Sequence, residues 1–503
     1  MERFDFIPRF RWIAALACLL LATALLLAQH WGMMFSNADD PWVARASLAA
    51  IQKTASEQGR FWLVPLNFIS GLPYKLGGWE AGNLVKILVN GFAMLAFALF
   101  LYRLVNHNFA LLGTLIWLAL IDVSHGHYSA FHGYLMMFNL QMGTLFLSLW
   151  WYLLLLDRQR KGLAFIGPAL LFAFSLLAYE PMLFFFGVYY AVALFRFLTL
   201  DENWRASPSW KDKTTQLLRW TLGWLRANWA LHLAVAAYLT AYFVYRHFQP
   251  TFGRVLDFGG HPFEIARTIF RFSVYGFHFE LAPLAQHASE STTPPQLLMA
   301  FAFGICIALA GLLVIPMAGE SPPETALRQP VGLIITTFFV LAPNLLHGFV
   351  DGYRQWAADS PYYVGNYLSS FALAILGALG IGALVGGGKS RQERLLFLLV
   401  LYALASSATD NMLKWSRLAQ TNRNDAALWT LAITELRHSL GKNSDRLTYV
   451  CAKAPPEKVS GDDAFWSYHL SREMGVQIEY RSKRLNSSPC DLIIDFNAYR
   501  IRP

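Results

Sequence analysis

The sequence predicts an all-α polytopic membrane protein of about eleven transmembrane helices followed by a small C-terminal α/β soluble domain, and three observations predict it. Hydrophobic residues make up 55% of the 503 positions and charged ones 15%, which is too apolar for a soluble enzyme of this length. Apolar runs near the roughly 20 residues that cross a hydrocarbon slab recur along most of the chain. After Met412 charged and polar residues dominate to Pro503, and no further spanning run occurs.

The apolar windows fall at residues 12–29, 83–102, 109–122, 134–156, 163–178, 181–198, 228–247, 297–316, 331–347, 366–387 and 395–413. The first follows Arg3, Arg9 and Arg11, as in a secretory signal, but no convincing small-x-small cleavage site follows in the polar stretch after Gln29, so it reads as a retained helix. With Met1 inside, the cytoplasmic connections hold Arg103, the run Asp157 to Lys161, the stretch 196–226 with Lys211 and Lys213, Arg328, and Lys389, Arg391 and Arg394. The connections on the other side are poorer in cations. This bias predicts a multi-pass protein of a bacterial inner membrane with its N-terminus cytoplasmic and its C-terminal domain periplasmic. It also accounts for the net charge of +9 without nucleic acid as a partner.

The outer segments are then residues 30–82, 123–133, the corner Tyr179 to Pro181, 248–296 and 348–365. Within the first, 42–56 and 61–69 are too short and mixed to span, and suit helices lying in the headgroup plane. The domain division is 1–413, transmembrane, and 414–503, soluble. In the second part, 425–439 has helical spacing, whereas 447–452 and 492–496 read as buried strands. Cys451 and Cys490 are either paired in an oxidising compartment or simply buried small residues. Cys18 and Cys306 fall in predicted spans and are expected to be inert.

Four features carry candidate chemistry. Asn37 to Trp42 reads NADDPW, which puts the adjacent carboxylates Asp39 and Asp40 just beyond the first helix; as a plain helix start, Asp40 would cap and Pro41 would open the first turn. Tyr179-Glu180-Pro181 interrupts an apolar stretch from Leu163 to Phe195. An acid at membrane depth is costly unless it is paired or wetted, so Glu180 is either functional or a loop-tip residue at a proline turn. The loop 124–134, SHGHYSAFHGY, brings His125, His127 and His132 among aromatics, in spacings that match no tight zinc pattern; belt anchoring or a sugar-lining role suits them better. Finally, the outer segments carry Arg254, His261, Arg267, Arg271 and His278, then His347, Asp351, Tyr353, Arg354, Tyr362 and Tyr363. Arginine suits bidentate recognition of phosphate oxygens, although generic binding of anionic headgroups explains these cations equally.

The acidic pair Asp39-Asp40 after the first helix, the interfacial helices that follow, the LLAYEP stretch from Leu176 to Pro181 and the soluble C-terminal module together resemble the GT-C superfamily of membrane glycosyltransferases, which use polyprenyl-phosphate-linked sugars. Among bacterial members the resemblance is to O-antigen-modifying glucosyltransferases and to cell-surface or pilin glycosyltransferases. It implies that Asp39, or else Asp40, is the general base on an acceptor hydroxyl of a saccharide or protein. It implies further that cations, Arg354 first and Arg271 second, stabilise the departing lipid phosphate, and that Glu180 orients donor or acceptor. Tyr128, Tyr179, Tyr362 and Tyr363 would stack on sugar faces, with His132 lining the same pocket. One base attacking directly implies inversion at the anomeric carbon. Members that handle monophosphate donors commonly need no metal, and the expectation here is no metal and no cofactor. Two other classes are the alternatives: a lipid-linked saccharide flippase or transporter, which would place polar residues in mid-membrane and often repeat its halves, and an O-antigen polymerase or ligase, which would depend on outer-loop arginines and histidines.

Overall fold

The computed structural model describes residues 6–33, 46–58, 60–61, 63–122, 131, 137–177, 180–200, 204, 209–248, 262–275, 277, 280–281, 292–319, 328–350, 353–355, 357, 364–385, 390–440, 448–453, 466–467, 470–471, 477–481, 490–495 and 500–502.

Lipid offers the backbone no hydrogen-bond partner, so each apolar run must close its own ladder as a helix. Every predicted apolar window coincides with one. The helices are α1 (Phe6–Ala28), α2 (Leu48–Gln58), α3 (Leu63–Leu104), α4 (His107–Leu120), α5 (Met137–Asp157), α6 (Ile166–Leu176), α7 (Phe186–Leu200), α8 (Trp210–Ala227), α9 (Trp229–Phe248), α10 (Pro262–Val274), α11 (Pro294–Gly319), α12 (Arg328–Leu341), α13 (Leu345–Gly348), α14 (Val364–Val385) and α15 (Arg391–Leu440). Short 3-10 turns, Gly162–Phe165, Glu180–Phe185 and Ala342–Asn344, lead into α6, α7 and α13. Among the described residues 7 helices are long and apolar enough to cross a membrane by themselves, or 8 if α8 and α9, bent by 67° at Asn228, count as one span. The chain is thus a helical, multi-pass membrane protein.

Helix α10 and two further strands at the C-terminus are absent from the sequence analysis, and two stretches of the bundle depart from it. The expected surface helix over 61–69 is the first part of α3, which runs to Gly77 and Gly78 before turning into the span; Gly78 has φ +67, a backbone region open chiefly to glycine. The stretch 210–227, expected as a cytoplasmic connection, is helix α8. Its Trp220 and Trp224 pack on Tyr190 and Phe197 of α7 while Leu218, Leu222 and Leu225 stay exposed.

Helix α4 sits at the centre, with every residue from Leu111 to Leu120 buried except Thr114. Around it the rings of Phe97, Phe100, Trp117, Phe146 and Phe371 tie α3, α4, α5 and α14 together in edge and stacked pairs. Helix α11 packs along both α1 and α15.

Helix α15 runs unbroken through residue 413 to Leu440 and carries the sheet region on its far end. Four strands, β1 (Thr448–Lys453), β2 (Ile478–Arg481), β3 (Leu492–Asp495) and β4 (Arg500–Arg502), lie in the order β2-β1-β3-β4, parallel except for the antiparallel β3-β4 pair. Trp429 and Leu436 of α15 share its core with Val450, Trp466, Tyr480 and Ile494, and Tyr74 of α3 joins from below. Cys451 and Cys490 are disulfide-bonded, with their Cα atoms 5.8 Å apart.

Candidate functional site

The two ends of the helical bundle differ in chemistry. At one end Asp157, which closes α5, lies 2.6 Å from Arg103 Nη2 of α3 and 2.5 Å from Arg196 Nη1 of α7. Arg196 also donates to the Arg103 carbonyl. This clamp joins three helices and uses both carboxylate oxygens.

At the other end the polar groups are mostly neutral, and they are deeply buried. Helix α3 presents Asn83, Lys86 and Asn90 at spacings of three and four residues, hence on one face, all with almost no exposure. Asn83 donates to the Met33 carbonyl just past α1. The Phe131 carbonyl accepts from Asn90 Nδ2 at 3.0 Å and from Asn139 Nδ2 at 3.4 Å, and His30 Nε2 lies 3.4 Å from it. The other imidazole nitrogen is 3.2 Å from the Leu27 carbonyl. Burial, and after it the Lys86 ammonium, hold the His30 pKa down to about 3 against the pull of these two carbonyls. The ring is therefore neutral and carries one N–H, which serves one carbonyl at a time.

From Phe131 the cluster continues without interruption. Trp117 packs on Phe131 with ring centres 6.2 Å apart and donates Nε1 to Ser370 Oγ at 3.0 Å. The adjacent Ser369 accepts from Asn344 Nδ2 at 3.0 Å, and the same amide group donates to Ser273 of α10 at 3.2 Å. With both its N–H groups so used, Asn344 offers its oxygen to His347, whose Nδ1 lies 3.0 Å away and must carry the proton. His347 packs on Tyr353 at 4.7 Å and on Phe272 at 5.6 Å. Next to Tyr353, Arg354 is buried and donates Nη1 to the Gly348 carbonyl at 3.2 Å. Arg271, one residue before Phe272, lies over the ring of Tyr275 at 5.4 Å.

The turn that Glu180 opens packs against the turn Ala342–Asn344, and α10 packs on that same turn and on α13. The elements that bear Glu180 and Arg271 therefore both pack on the turn Ala342–Asn344, and Arg354 is tied to the adjoining α13 through the Gly348 carbonyl. Asp39, Asp40, His132, Tyr179, Tyr362 and Tyr363 lie outside the described residues, as do the other loop histidines, His125 and His127. Among the described residues no group of three His, Cys, Asp or Glu side chains is placed to hold a metal.

The buried ionisable residues His30, Lys86 and Asp410 carry no role in the sequence analysis, and two of them stand inside apolar windows. Lys86 stands in the apolar run LVKILVN, and Asp410, fully buried in α15, lies 2.7 Å from Lys414. Each was marked by the rule applied to Glu180, namely an ionisable group within an apolar window. Buried amide atoms of Asn90, Asn139 and Gln141 are also without a hydrogen-bond partner: Oδ1 of each asparagine, and both Oε1 and Nε2 of Gln141. Such atoms cost free energy in an apolar interior, and Arg103 Nε at the ionic end and Asn108 Oδ1 and Asn228 Oδ1 elsewhere carry the same cost.

No protein-family model matches the chain, and no curated protein matches its sequence. Among solved structures the chain is similar to ArnT from Cupriavidus metallidurans bound to undecaprenyl phosphate, at 12% identity over 93% of this chain and 86% of that one, with a TM-score of 0.39. It is also similar to the oligosaccharyltransferase of Archaeoglobus fulgidus tethered to an acceptor peptide, at 11% identity over 93% of this chain and 64% of that one, again with a TM-score of 0.39. A third similar structure is archaeal AglB from the same organism, in complex with an inhibitory peptide and a dolichol-phosphate, at 12% identity over 93% of this chain and 64% of that one, with a TM-score of 0.34.

Proposed function

We propose that this chain is a membrane glycosyltransferase of the GT-C kind, which moves a single sugar from a polyprenyl-phosphate donor to a saccharide or protein acceptor on the periplasmic face of a bacterial inner membrane. The observation that carries the reading is the chemistry of one bundle end. There, buried cations (Lys86 and Arg354) stand among amides and hydroxyls suited to a sugar.

In the proposed reaction the acceptor hydroxyl is held near Asp39 or Asp40, with Asp39 preferred. The carboxylate takes the hydroxyl proton as the oxygen attacks the anomeric carbon. The bond from that carbon to the phosphate oxygen breaks, its electron pair leaves with the polyprenyl phosphate, and configuration inverts. Negative charge grows on the phosphate as the bond stretches. Lys86, Arg354 and Arg271 stabilise that charge, more in the transition state than in the ground state, because they act in a dry, low-dielectric setting. Glu180 orients donor or acceptor, and Tyr179, Tyr362, Tyr363 and His132 face the sugars.

The test is turnover of a radiolabelled polyprenyl-phosphate sugar by the purified chain in nanodiscs, with transfer read by chromatography. Replacing the base by Asp39→Asn or Asp40→Asn is expected to cost about 10²–10⁴-fold in kcat in the variant that loses it. Undiminished turnover in both variants would refute the assigned base. Movement of a labelled lipid-linked saccharide across the bilayer without a new glycosidic bond would overturn the transferase reading altogether.

A further inference from the structure

Helix α1 ends at Ala28, and like any helix end it leaves carbonyls without partners in the helix. The Leu27 and Ala28 carbonyls accept from the backbone N–H groups of His30 and Trp31, whereas Leu26 and the carbonyls just beyond the helix find partners at the other end of the chain. Trp415 of α15 donates Nε1 to the Leu26 carbonyl at 3.1 Å. Two turns further along the same helix, Arg423 donates Nη1 to the carbonyls of Gln29 and Trp31 at 3.3 and 3.5 Å, and Nη2 to the Gln29 and Gln420 side-chain oxygens at 3.4 and 3.3 Å. The chain turns here through Gly32 at φ +73, and the Arg423 side chain lies 3.4 Å from where a Cβ on that glycine would stand. Among the described residues the acceptors of Arg423 are neutral oxygens, so its charge serves the negative end of α1.

The residue bracketed by this clamp is His30. Gln29 and Trp31 on either side of it are held by Arg423, while its ring packs on Trp415 at 5.2 Å and on Phe131 at 5.1 Å. Trp415 of α15 thus packs on both His30 and Phe131, and Asn83, on the same face of α3 as Lys86, donates to the Met33 carbonyl just after the clamped turn. The same helix carries Trp429 into the core of the sheet region.

We propose that α15 and the C-terminal sheet form the positioning device of the site, with Arg423 as the positioning residue that holds residues 26–31 against Phe131 and the Lys86 face of α3. The inference deepens the transferase reading and rests on it for its activity arm, whereas its exchange arm does not.

The experiment compares the full chain with Arg423→Ala and Arg423→Lys in nanodiscs. Arg423→Ala is expected to lower kcat about 10-fold with the donor KM within about twofold, because the phosphate cations are untouched while the attack geometry loosens. Lysine keeps the charge but not the fork that reaches carbonyls with one nitrogen and glutamine side-chain oxygens with the other, so Arg423→Lys is expected to fall between the two. Ethylguanidinium added to Arg423→Ala should recover part of the lost kcat, a rescue that a general folding defect would not show. Amide hydrogen exchange across residues 27–33 should speed up about 10-fold in Arg423→Ala while that of α5 stays unchanged. Unchanged exchange at 27–33 overturns the proposal. So does wild-type kcat in Arg423→Ala when the inactivating aspartate variant confirms the base. If Asp39→Asn and Asp40→Asn both turn over normally, the transferase reading fails while exchange still decides the positioning claim. Should Arg423→Ala fail to fold, Arg423→Lys supplies both readouts.

Discussion

The bundle has an ionic end and an amide end, and both are built from polar residues in an apolar chain. At the ionic end Asp157 has both oxygens engaged by Arg103 and Arg196, and the three side chains are 20–31% exposed. At the amide end Lys86, Asn90, Asn139, Gln141, Asn344 and His347 are buried almost completely, and buried amide atoms of Asn90, Asn139 and Gln141 have no hydrogen-bond partner. The ion clamp ties three helices together at a partly exposed edge, with Arg103 Nε itself left without a hydrogen-bond partner, so the two ends differ in charge and burial rather than in the presence of unpartnered polar atoms. Buried polar capacity left unused is costly wherever it stands.

The largest expected effect breaks this contrast or confirms it directly. Lys86→Met keeps the length of the side chain and removes its charge. If that charge meets a developing phosphate, kcat falls about 10²–10³-fold, the scale at which a single preorganised electrostatic group acts. Turnover of the same donor in nanodiscs reads it. A loss confined to KM would place Lys86 in ground-state binding and weaken the parallel with a transition-state clamp.

A smaller effect sharpens the contrast through pH. His30 has an ordinary pKa of 6.5 in the unfolded chain and about 3 in the folded one, where it is held neutral. Below pH 6.5 the unfolded chain takes up a proton that the folded chain refuses. The stability contribution is thus complete above 6.5 and is lost as pH falls towards 3. At pH 5 the loss amounts to about 2 kcal/mol relative to pH 8. His30→Gln should flatten that part of the profile in denaturant unfolding of the detergent-solubilised protein. Equal pH slopes in the variant and the parent would show that the ring is not held as the geometry implies.

Much of the fold was legible because lipid imposes one rule on every span, contiguous apolar residues in a helix, and each apolar window from 12–29 to 395–413 is helical. What escaped obeys weaker signals. Helix α8 carries Lys211, Lys213, Arg219 and Arg226 and so read as a connection, although Trp220 and Trp224 mark a helical face. Strands β2 and β4 are short and rich in charge, IEYR and RIR, and only pairing with β1 and β3 makes them strands. At the candidate site, Arg354 and Glu180 were visible as residue types out of place, and Lys86 was equally visible by that rule. The joints that assemble the site were not, because its hubs are backbone carbonyls at Phe131, Leu26, Gln29 and Gly348. Any residue supplies a carbonyl, so no sequence pattern marks it.

The smallest effect tests the other half of the contrast. Asp157→Asn leaves one acceptor oxygen and turns an amide N–H towards an arginine, so one of Arg103 and Arg196 loses its anionic partner. The clamp is partly exposed and screened, so the cost in stability is about 1 kcal/mol rather than the several expected of a buried pair. It should shrink further in high salt, as exposed pairs do. Because the clamp ties the ends of α3, α5 and α7 away from Lys86, kcat per folded molecule should stay within about twofold of wild type. Unfolding midpoints and turnover measured on the same nanodisc preparation separate the two quantities. If turnover instead falls further than the folded fraction does, the ionic end is coupled to the amide end through α3 and α5, and the division of labour between them does not hold.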